Sequence, residues 1–467
     1  MIIDFEHIGK YRENNRIEAK KALGGLPHSI WETYSSFANT IGGIILLGVV
    51  ELTDKTFQTV DLPDPERLIM EFRKILNDRE KISANILSLD DIAVHEINGN
   101  HIISITVPRA DRREKPVYIG MDPYMGTYRR DGEGDYHCTR DEVQSMLKDR
   151  EERTQDMRVF MSCGMEVFDP LTVKRYFTYL KDGHQGFPWE EYEDDEILIR
   201  TGACAEGADG GVHPTAAGLL MFGYEDEIVK EFPSFFLDYQ ERAEDGSVVE
   251  RIVSNSGRFS GNLFDFYLKI SGKIVKGLPA DIHRPVREAV ANCMINGDYS
   301  GSLGLVIVKR KEAVCITNPG SFRMDLEDAI HGGKSDPRNA VLSRLFHLVR
   351  VGTGKGKGVP DIYAVWKKKG WQAPRIQERF RPERIILYLP LREAGKQKME
   401  EGNYVEKQEN KGRLIDFVTR EIYVGKKDAS VLLQLPEADA ERLLKEMREE
   451  GILTVSDERE GIYILKI

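Results

Sequence analysis

Three glutamates near the start of the chain, Glu13, Glu18 and Glu51, could hold a divalent cation if the fold brings them together. Mg²⁺ and Mn²⁺ prefer oxygen ligands, and a cation held there could activate water against a phosphodiester. Glu13 and Glu18 lie five apart. That is about 140° around a helix and opposite faces of a strand, so they converge only if the chain breaks between them. Asn14-Asn15 supplies turn-forming residues at that place. Ile17–Lys20 then alternates as a strand does, which puts Glu18 and Lys20 on one face. Glu51 follows the apolar run Ile44–Val50, at a strand end. On spacing alone the three glutamates read more readily as solvated surface acids.

A second constellation lies farther along. Asn292 is the polar residue of the otherwise apolar run Ala289–Ile295, and a buried amide left unsatisfied costs ~1–3 kcal/mol. Glu288, Asn292 and Asn296 follow one another at intervals of four and share a helix face. A carboxylate that positions water and an amide that ligates Mg²⁺ would need this spacing; a core helix with one polar stripe to solvent would show it too. Asn318-Pro319-Gly320 follows a strand, and Gly352-Thr353-Gly354-Lys355-Gly356-Lys357-Gly358 precedes a helical stretch, Asp361–Lys369. Alternate glycines expose backbone N–H groups of the kind that cradle phosphate, and Lys355 and Lys357 add charge. The segment is not a Walker A loop, because no Gly-Lys-Ser/Thr stands at the right offset.

The elements that must position these residues read as mixed α/β. Helices are expected over Ser29–Asn39, Asp64–Asn77, Arg140–Glu151 and Asp281–Met294. Ile44–Val50 suits one buried strand. Ile92–Ile97 and His101–Pro108 form a hairpin around Asn98-Gly99-Asn100. Leu303–Lys309 and Ala313–Thr317 are strands, and the acidic stretch Trp189–Glu196 reads as a solvated loop. Residues 394–410 read as a linker. Beyond it, helices at about Leu414–Glu421, Asp428–Leu435 and Asp439–Glu450 precede strands Ile452–Val455 and Ile462–Lys466, a winged-helix pattern.

The chain has 467 residues, 41% hydrophobic and 31% charged, with a net charge of −11. That composition excludes a largely disordered chain, and the acidity argues against a protein that wraps duplex DNA non-specifically. Five scattered cysteines form no C-x-x-C pair and no disulfide framework. Without a signal peptide or a long apolar span, the chain reads as cytoplasmic. Residues 411–467 carry ten Lys and Arg against twelve Asp and Glu, and the presumed recognition helix is acidic. Such a helix repels phosphate, so dimerisation or docking is expected there at least as readily as DNA reading.

Arg12–Lys20, Ser36-Phe37-Ala38-Asn39-Thr40-Ile41-Gly42-Gly43 with the strand after it, Lys115-Pro116-Val117-Tyr118 and Tyr128-Arg129-Arg130-Asp131-Gly132 together resemble the Schlafen AlbA-type domain. The resemblance implies a three-carboxylate metal site on Glu13, Glu18 and Glu51, with Asp54 as a fallback for the third, where the family more often shows Asp. Lys20, Lys21, Arg129 and Arg130 would be its phosphate-facing charges. Arg287-Glu288-Ala289, Asn292, Gly297-Asp298-Tyr299-Ser300, Ile316-Thr317-Asn318-Pro319-Gly320, Arg338-Asn339 and the glycine loop resemble the divergent ATPase domain of ATP-binding transcriptional regulators, similar to the gyrase, MutL and histidine-kinase ATPases. His213–Gly223 resembles the segment that links the two domains in those proteins. The resemblance implies Glu288 as general base, Asn292 as Mg²⁺ ligand, Asp298, Asn318 and Gly320 in the ATP site, and Gly352, Gly354, Lys355, Gly356, Lys357 and Gly358 as its lid. Asn296-Gly297 departs from the usual His-Arg, and Asn318 stands where the gyrase type uses Asp to read adenine.

The expectation is therefore a multidomain α/β chain. It has an AlbA/Schlafen-like domain (1–150), a connecting α/β region (151–275), a gyrase/MutL-like α/β sandwich (276–393), a linker (394–410) and a winged helix (411–467). Its expected ligands are Mg or Mn, ATP, and RNA or DNA, in a homo-oligomer. Two functions fit: a nucleotide-controlled, metal-dependent and RNA-directed endonuclease of prokaryotic defence, or a non-enzymatic, ATP-sensing DNA-binding transcriptional regulator.

Overall fold

In the computed structural model the described residues are all but 1, 2, 4, 6, 7, 9, 10, 184–188, 353–355, 381–382, 394–409, 412–413, 415–417, 419–422, 434, 450–452, 456–460 and 466–467. They form two units, Met1–Leu391 and Arg392–Ile467.

The first unit begins with a sheet built on the apolar run. Strands β1 (Ile17–Lys20) and β2 (Gly43–Leu47) pair in parallel, with Glu18 opposite Ile45. Ile44, Ile45, Leu46 and Leu47 are all buried, as both faces of a covered central strand require. The run is not one strand to Val50. Gly48 takes φ +81°, and a Cβ there would meet Leu62 Cγ at 2.9 Å and Val60 O at 3.0 Å. The chain turns at this point into β3 (Val49–Glu51), which pairs with β4 (Phe57–Thr59) as a separate ribbon carrying Glu51. Strands β5 (Ile92–Ile97) and β6 (Asn100–Val107) complete the sheet in the order β1-β2-β6-β5. Helix α1 (Ile30–Asn39) is buried nearly all round: its apolar stripe Ile30, Trp31, Tyr34, Phe37 and Ala38 is covered, and so are Thr33, Ser35, Ser36 and Asn39. Helix α2 (Pro65–Leu76) is capped by the Asp64 side chain, which accepts from Arg67 N–H. The short helix α3 (Pro123–Gly126) leads into the ribbon β7 (Tyr128–Asp131) and β8 (Gly134–His137). Helix α4 (Arg140–Arg150) opens with a Thr139–Glu142 capping box.

The motif residue that ends α1, Asn39, is structural. Asn39 donates to Val117 O (2.8 Å) and Tyr128 O (2.9 Å) and accepts from Val117 N–H (2.8 Å). Lys115 Nζ returns to Asn39 O at 2.7 Å. One amide thus ties the end of α1 to two distant segments.

The remainder of this unit shares a single core running from Phe160 to Leu389. It contains α5 (Pro170–Gly183), α6 (Asp194–Thr201), the ribbon β9 (Cys204–Glu206) and β10 (Val212–Pro214), α7 (Ala216–Phe222), α8 (Glu225–Glu231) and α9 (Leu263–Ser271). The acidic stretch is not a solvated loop: Trp189 is buried and Asp194–Glu196 form the first turn of α6. A six-stranded sheet runs β12-β11-β13-β14-β16-β15. Its strands are β11 (Leu237–Arg242), β12 (Val248–Val253), β13 (Leu305–Lys309), β14 (Ala313–Pro319), β15 (Arg375–Phe380) and β16 (Glu383–Pro390). Only β11 and β13 pair in parallel. Two of the six strands come from the segment read as a connecting region, so no structural boundary falls at 275–276. In β11 the buried Leu237 and Tyr239 alternate with the polar Asp238 and Gln240, a weak strand signal. Helix α10 (His283–Asn296) packs on β14, on α12 (Ala340–Leu348) and on α13 (Gly358–Lys368), and α11 (Leu326–His331) packs on α13. Among the described residues no helix is long and apolar enough to cross a membrane.

In the second unit residues 410, 411, 414 and 418 are helical. Then follow β17 (Val424–Gly425), α14 (Lys426–Leu433), α15 (Glu437–Glu449), β18 (Leu453–Val455) and β19 (Ile462–Leu465). The sheet order is β17-β19-β18, antiparallel throughout. Leu414, Val418, Leu433, Leu444, Met447 and Leu453 form the core. The expected linker lies outside the described residues except for its last position, 410.

Candidate functional site

Each of the three N-terminal glutamates has a protein partner. Asn14 bridges back to Ile17 and breaks the chain between the first two, as the turn signal required. Glu13 Oε1 accepts from Ala19 N–H at 3.0 Å. Burial pushes the Glu13 carboxyl above its ordinary value, and the nearby Glu18 and Glu51 carboxylates push it further. The three are thus within electrostatic reach of one another. Glu18 is clamped by Lys20 Nζ at 2.8 Å and by Arg130 Nη2 at 2.9 Å. Glu51 pairs with Lys55 at 3.0 Å, while its Oε1 is buried without a hydrogen-bond partner. Asp54 bonds the Thr56 hydroxyl at 2.6 Å within its own turn. Among the described residues no group of three or more His, Cys, Asp or Glu side chains is placed to hold a metal ion. As arranged, the trio does not fit a cation: lysine and arginine charges already occupy two of its members.

The arginines are the clearest correction. Arg129 is 2% exposed and Arg130 3% exposed, so neither is a surface cation. Arg129 pairs with Glu142 at 2.9 Å; Arg130 pairs with Asp135 at 3.0 Å as well as Glu18, and donates to Asn14 O at 2.9 Å. A buried charge persists only when paired; Asp135 is five residues from Arg130, while Glu18 and Asn14 lie more than a hundred residues away. Lys20 is likewise committed to Glu18 and to the Ser29 hydroxyl. Lys21 is exposed.

Helix α10 presents Glu288, Asn292 and Asn296 to a cavity of about 170 Å³, while Val286, Val290 and Met294 point into the core. The cavity is also lined by Cys293, Asn318, Arg323, Lys334, Asp336, Arg338, Ser343, His347, Gly356 and Gly358. Asn318 Oδ1 accepts from the Cys293 thiol at 3.4 Å. The start of α13 lies against the polar stripe so closely that a Cβ on Gly358 would sit 2.5 Å from Asn292 Nδ2 and 2.7 Å from Glu288 Oε1. Gly352, at φ +87°, lies near Glu288 and His347. Gly320 and Asp298 do not line this cavity. Gly320 instead packs on Arg338, and Asp298 borders a neighbouring crevice. Lys357 precedes α13 outside the lining, and Gly354 and Lys355 lie outside the described residues. Sequence reasoning missed Arg323, Lys334 and His347, which belong to no periodic stripe and no glycine loop.

Beside the cavity, Lys115 and Glu383 border a buried crevice with Arg109 and Asp149. Burial pushes the Glu383 carboxyl up to about 7 from its ordinary 4.5, against the opposing pull of Arg338. Burial likewise brings the Lys115 ammonium down to about 7. A raised folded-state carboxyl contributes stability fully present below its unfolded value and lost as pH rises through its folded value. The melting-temperature advantage of wild type over Glu383→Gln is therefore expected to shrink between pH 4.5 and 7.5. A difference that stays flat across that window in thermal denaturation would show that Glu383 is not so buried.

Three family models match the chain. Residues 13–139 match the Schlafen, AlbA_2 model. Residues 308–387 match the model described as "Putative ATP-dependent DNA helicase recG C-terminal". Residues 144–238 match a domain of unknown function. The chain thus carries a segment similar to the Schlafen AlbA_2 domain and a second segment similar to an ATPase-related module. Among solved structures it is similar to the DIP2311 protein from Corynebacterium diphtheriae. The identity is 17%, over 97% of this chain and 79% of that one, with a TM-score of 0.41. It is also similar to the N-terminal domain of a RecG-related protein from Nitrosomonas europaea, at 28% identity over 29% of this chain and 90% of that one, with a TM-score of 0.23. No curated protein matches.

Proposed function

We propose that the chain binds ATP with Mg²⁺ in the α10 cavity and acts on nucleic acid through its N-terminal domain under nucleotide control. The cavity's placement of Glu288 and Asn292 beneath the glycine segment carries this reading. Glu288 would orient the attacking water, Asn292 would bind the nucleotide's Mg²⁺, and Gly356–Gly358 would lie over the phosphates. The six-stranded sheet with α10, α12 and α13 is read as a gyrase/MutL-like α/β sandwich. Calorimetry with Mg·ATP on the full chain tests this. Binding should be measurable, and Asn292→Ala should weaken it; absence of binding by wild type would sink the reading.

The second unit is read as a winged helix serving assembly into a homo-oligomer. On α15, Lys445 is paired with Glu441 at 2.9 Å and Arg442 with Asp439 at 3.5 Å, which leaves those two cations little charge to offer a phosphate backbone. This favours assembly over the DNA-reading regulator.

Metal-dependent cleavage of RNA is a second reading of the N-terminal domain, favoured by the raised Glu13 carboxyl and the unsatisfied Glu51 Oε1. It requires Lys20 and Arg130 to release Glu18 and Lys55 to release Glu51. A Mn²⁺ cleavage assay on single-stranded RNA decides it. Wild type should cut, and Glu13→Gln or Glu51→Gln should lose at least about 100-fold, the scale of a general acid–base or electrostatic role. A wild type that cuts nothing, or variants that cut equally, would reject it.

A further inference from the structure

The charged wall of the cavity belongs to two parts of the first unit at once. Arg338 lines the cavity, is buried, and gives its Nη1 to Asp149 Oδ1 at 2.5 Å and its Nη2 to Ser321 O at 2.9 Å. Asp149 stands in the last turn of α4, in the N-terminal domain. A guanidinium has five donors, and Arg338 Nε is buried with no acceptor. Asp336, also in the lining, is held by the N-terminal domain's Arg112 at 2.5 Å. The same Arg112 donates to Asp149 O at 2.6 Å and Glu151 O at 3.0 Å, just past the helix end.

Helix α4 continues the connection. Seven residues, about two turns, before Asp149 lies Glu142, the partner of Arg129 at 2.9 Å. Arg129 is the strand neighbour of Arg130, which holds Glu18 at 2.9 Å. One rigid helix therefore has an arginine of the cavity at one end and the arginine pair of the N-terminal carboxylates at the other.

We propose that Arg338 is an anion-binding residue of the cavity and that Asp149 transmits the cavity's occupancy through α4 to the Arg129–Arg130 pair and Glu18. An anion that satisfies Arg338 Nε competes with Asp149 for the same guanidinium charge. The carboxylate is then held less tightly, and α4 is free to shift against β7. Coupling of this kind is a free energy that two sites share, and it must be shown by uncoupling them. The proposal rests on the nucleotide reading for the identity of the ligand, but not for its negative charge.

The test uses the full chain with two probes, Mg·ATP and tripolyphosphate, in calorimetry and in hydrogen exchange of residues 140–150. Wild type should bind the anion, and binding should change exchange in that helix. Arg338→Lys keeps the charge but loses the fork, and should weaken both probes at least about tenfold. Asp149→Asn should bind at least as tightly as wild type, because a competing carboxylate is gone, yet show no change in α4. Thermal melting reports whether each variant is folded. Should either fail, Arg112→Gln, on the N-terminal side of the contact, should blunt the α4 response while leaving affinity within about threefold. Equal affinity for tripolyphosphate and ATP would remove the nucleotide reading and leave this inference standing. Wild-type affinity in Arg338→Lys, a full α4 response in Asp149→Asn or Arg112→Gln, or no binding of either probe by wild type would overturn it.

Discussion

Glu288→Gln should bind Mg·ATP about as tightly as wild type and hydrolyse it 10²–10⁴-fold more slowly, the range that a positioned general base contributes. Glutamine keeps the volume and one acceptor oxygen, so neither packing against α13 nor the shape of the cavity should change. What disappears is the carboxylate that takes the proton from water. The contrast with Asn292→Ala makes the test specific, because that change should act on Mg-nucleotide affinity while any bound nucleotide still faces Glu288. Calorimetry and phosphate release measured on both variants separate the two roles. If Glu288→Gln lowers affinity and leaves turnover of the bound nucleotide intact, Glu288 is a ligand-binding residue and not the base. If wild type binds without turnover, the module senses nucleotide rather than consuming it.

The stripe Glu288–Asn292–Asn296 was legible because helical spacing fixes which residues share a face, whatever the remainder of the chain does. The cavity over it was legible for a related reason: alternate glycines mark a place where backbone must come close, and Gly358 lies against both Glu288 and Asn292. What the sequence hides is pairing at long range. Arg129-Arg130 in a polar strand reads as surface charge until Glu142, Asp135 and Glu18 are seen around it. Arg338 and Asp149 are 189 residues apart, and no local pattern announces that contact. Strands β11 and β12 escaped because about half their residues are polar, which suits strands with one face on a core but gives weak apolar runs. The Schlafen-type motif over Ser36–Gly43 is visible in the sequence, but its purpose is not. Asn39 turns out to be the clasp between α1, Val117 and Tyr128, while the carboxylates nearby are held by lysine and arginine rather than gathered on a point.

Gly358→Ala should lower Mg·ATP affinity by roughly 5–150-fold, with little effect on global stability. The added methyl carbon would meet Asn292 Nδ2 at 2.5 Å and Glu288 Oε1 at 2.7 Å, both well inside van der Waals contact. Two escapes exist. The two side chains can rotate away, which removes the water-positioning and metal-binding groups from the cavity, or the start of α13 can lift, which opens the cover. Either one costs about 1–3 kcal/mol, the usual range for overpacking, and at 1.4 kcal/mol per factor of ten that becomes the stated loss of affinity. The fold itself should tolerate the change, because the atoms that must yield are the ends of side chains rather than backbone. Gly356→Ala is harsher, since φ is +67° and the new carbon would lie 2.1 Å from Lys334 O. Gly272→Ala is the control, with no atom within 4 Å of the new carbon. Calorimetry and thermal melting on the three variants should rank Gly356→Ala as the most damaging to binding, Gly358→Ala next, and Gly272→Ala equal to wild type. If Gly358→Ala binds Mg·ATP as tightly as Gly272→Ala does, the start of α13 does not cover the site, and the assignment of this segment to the phosphates falls.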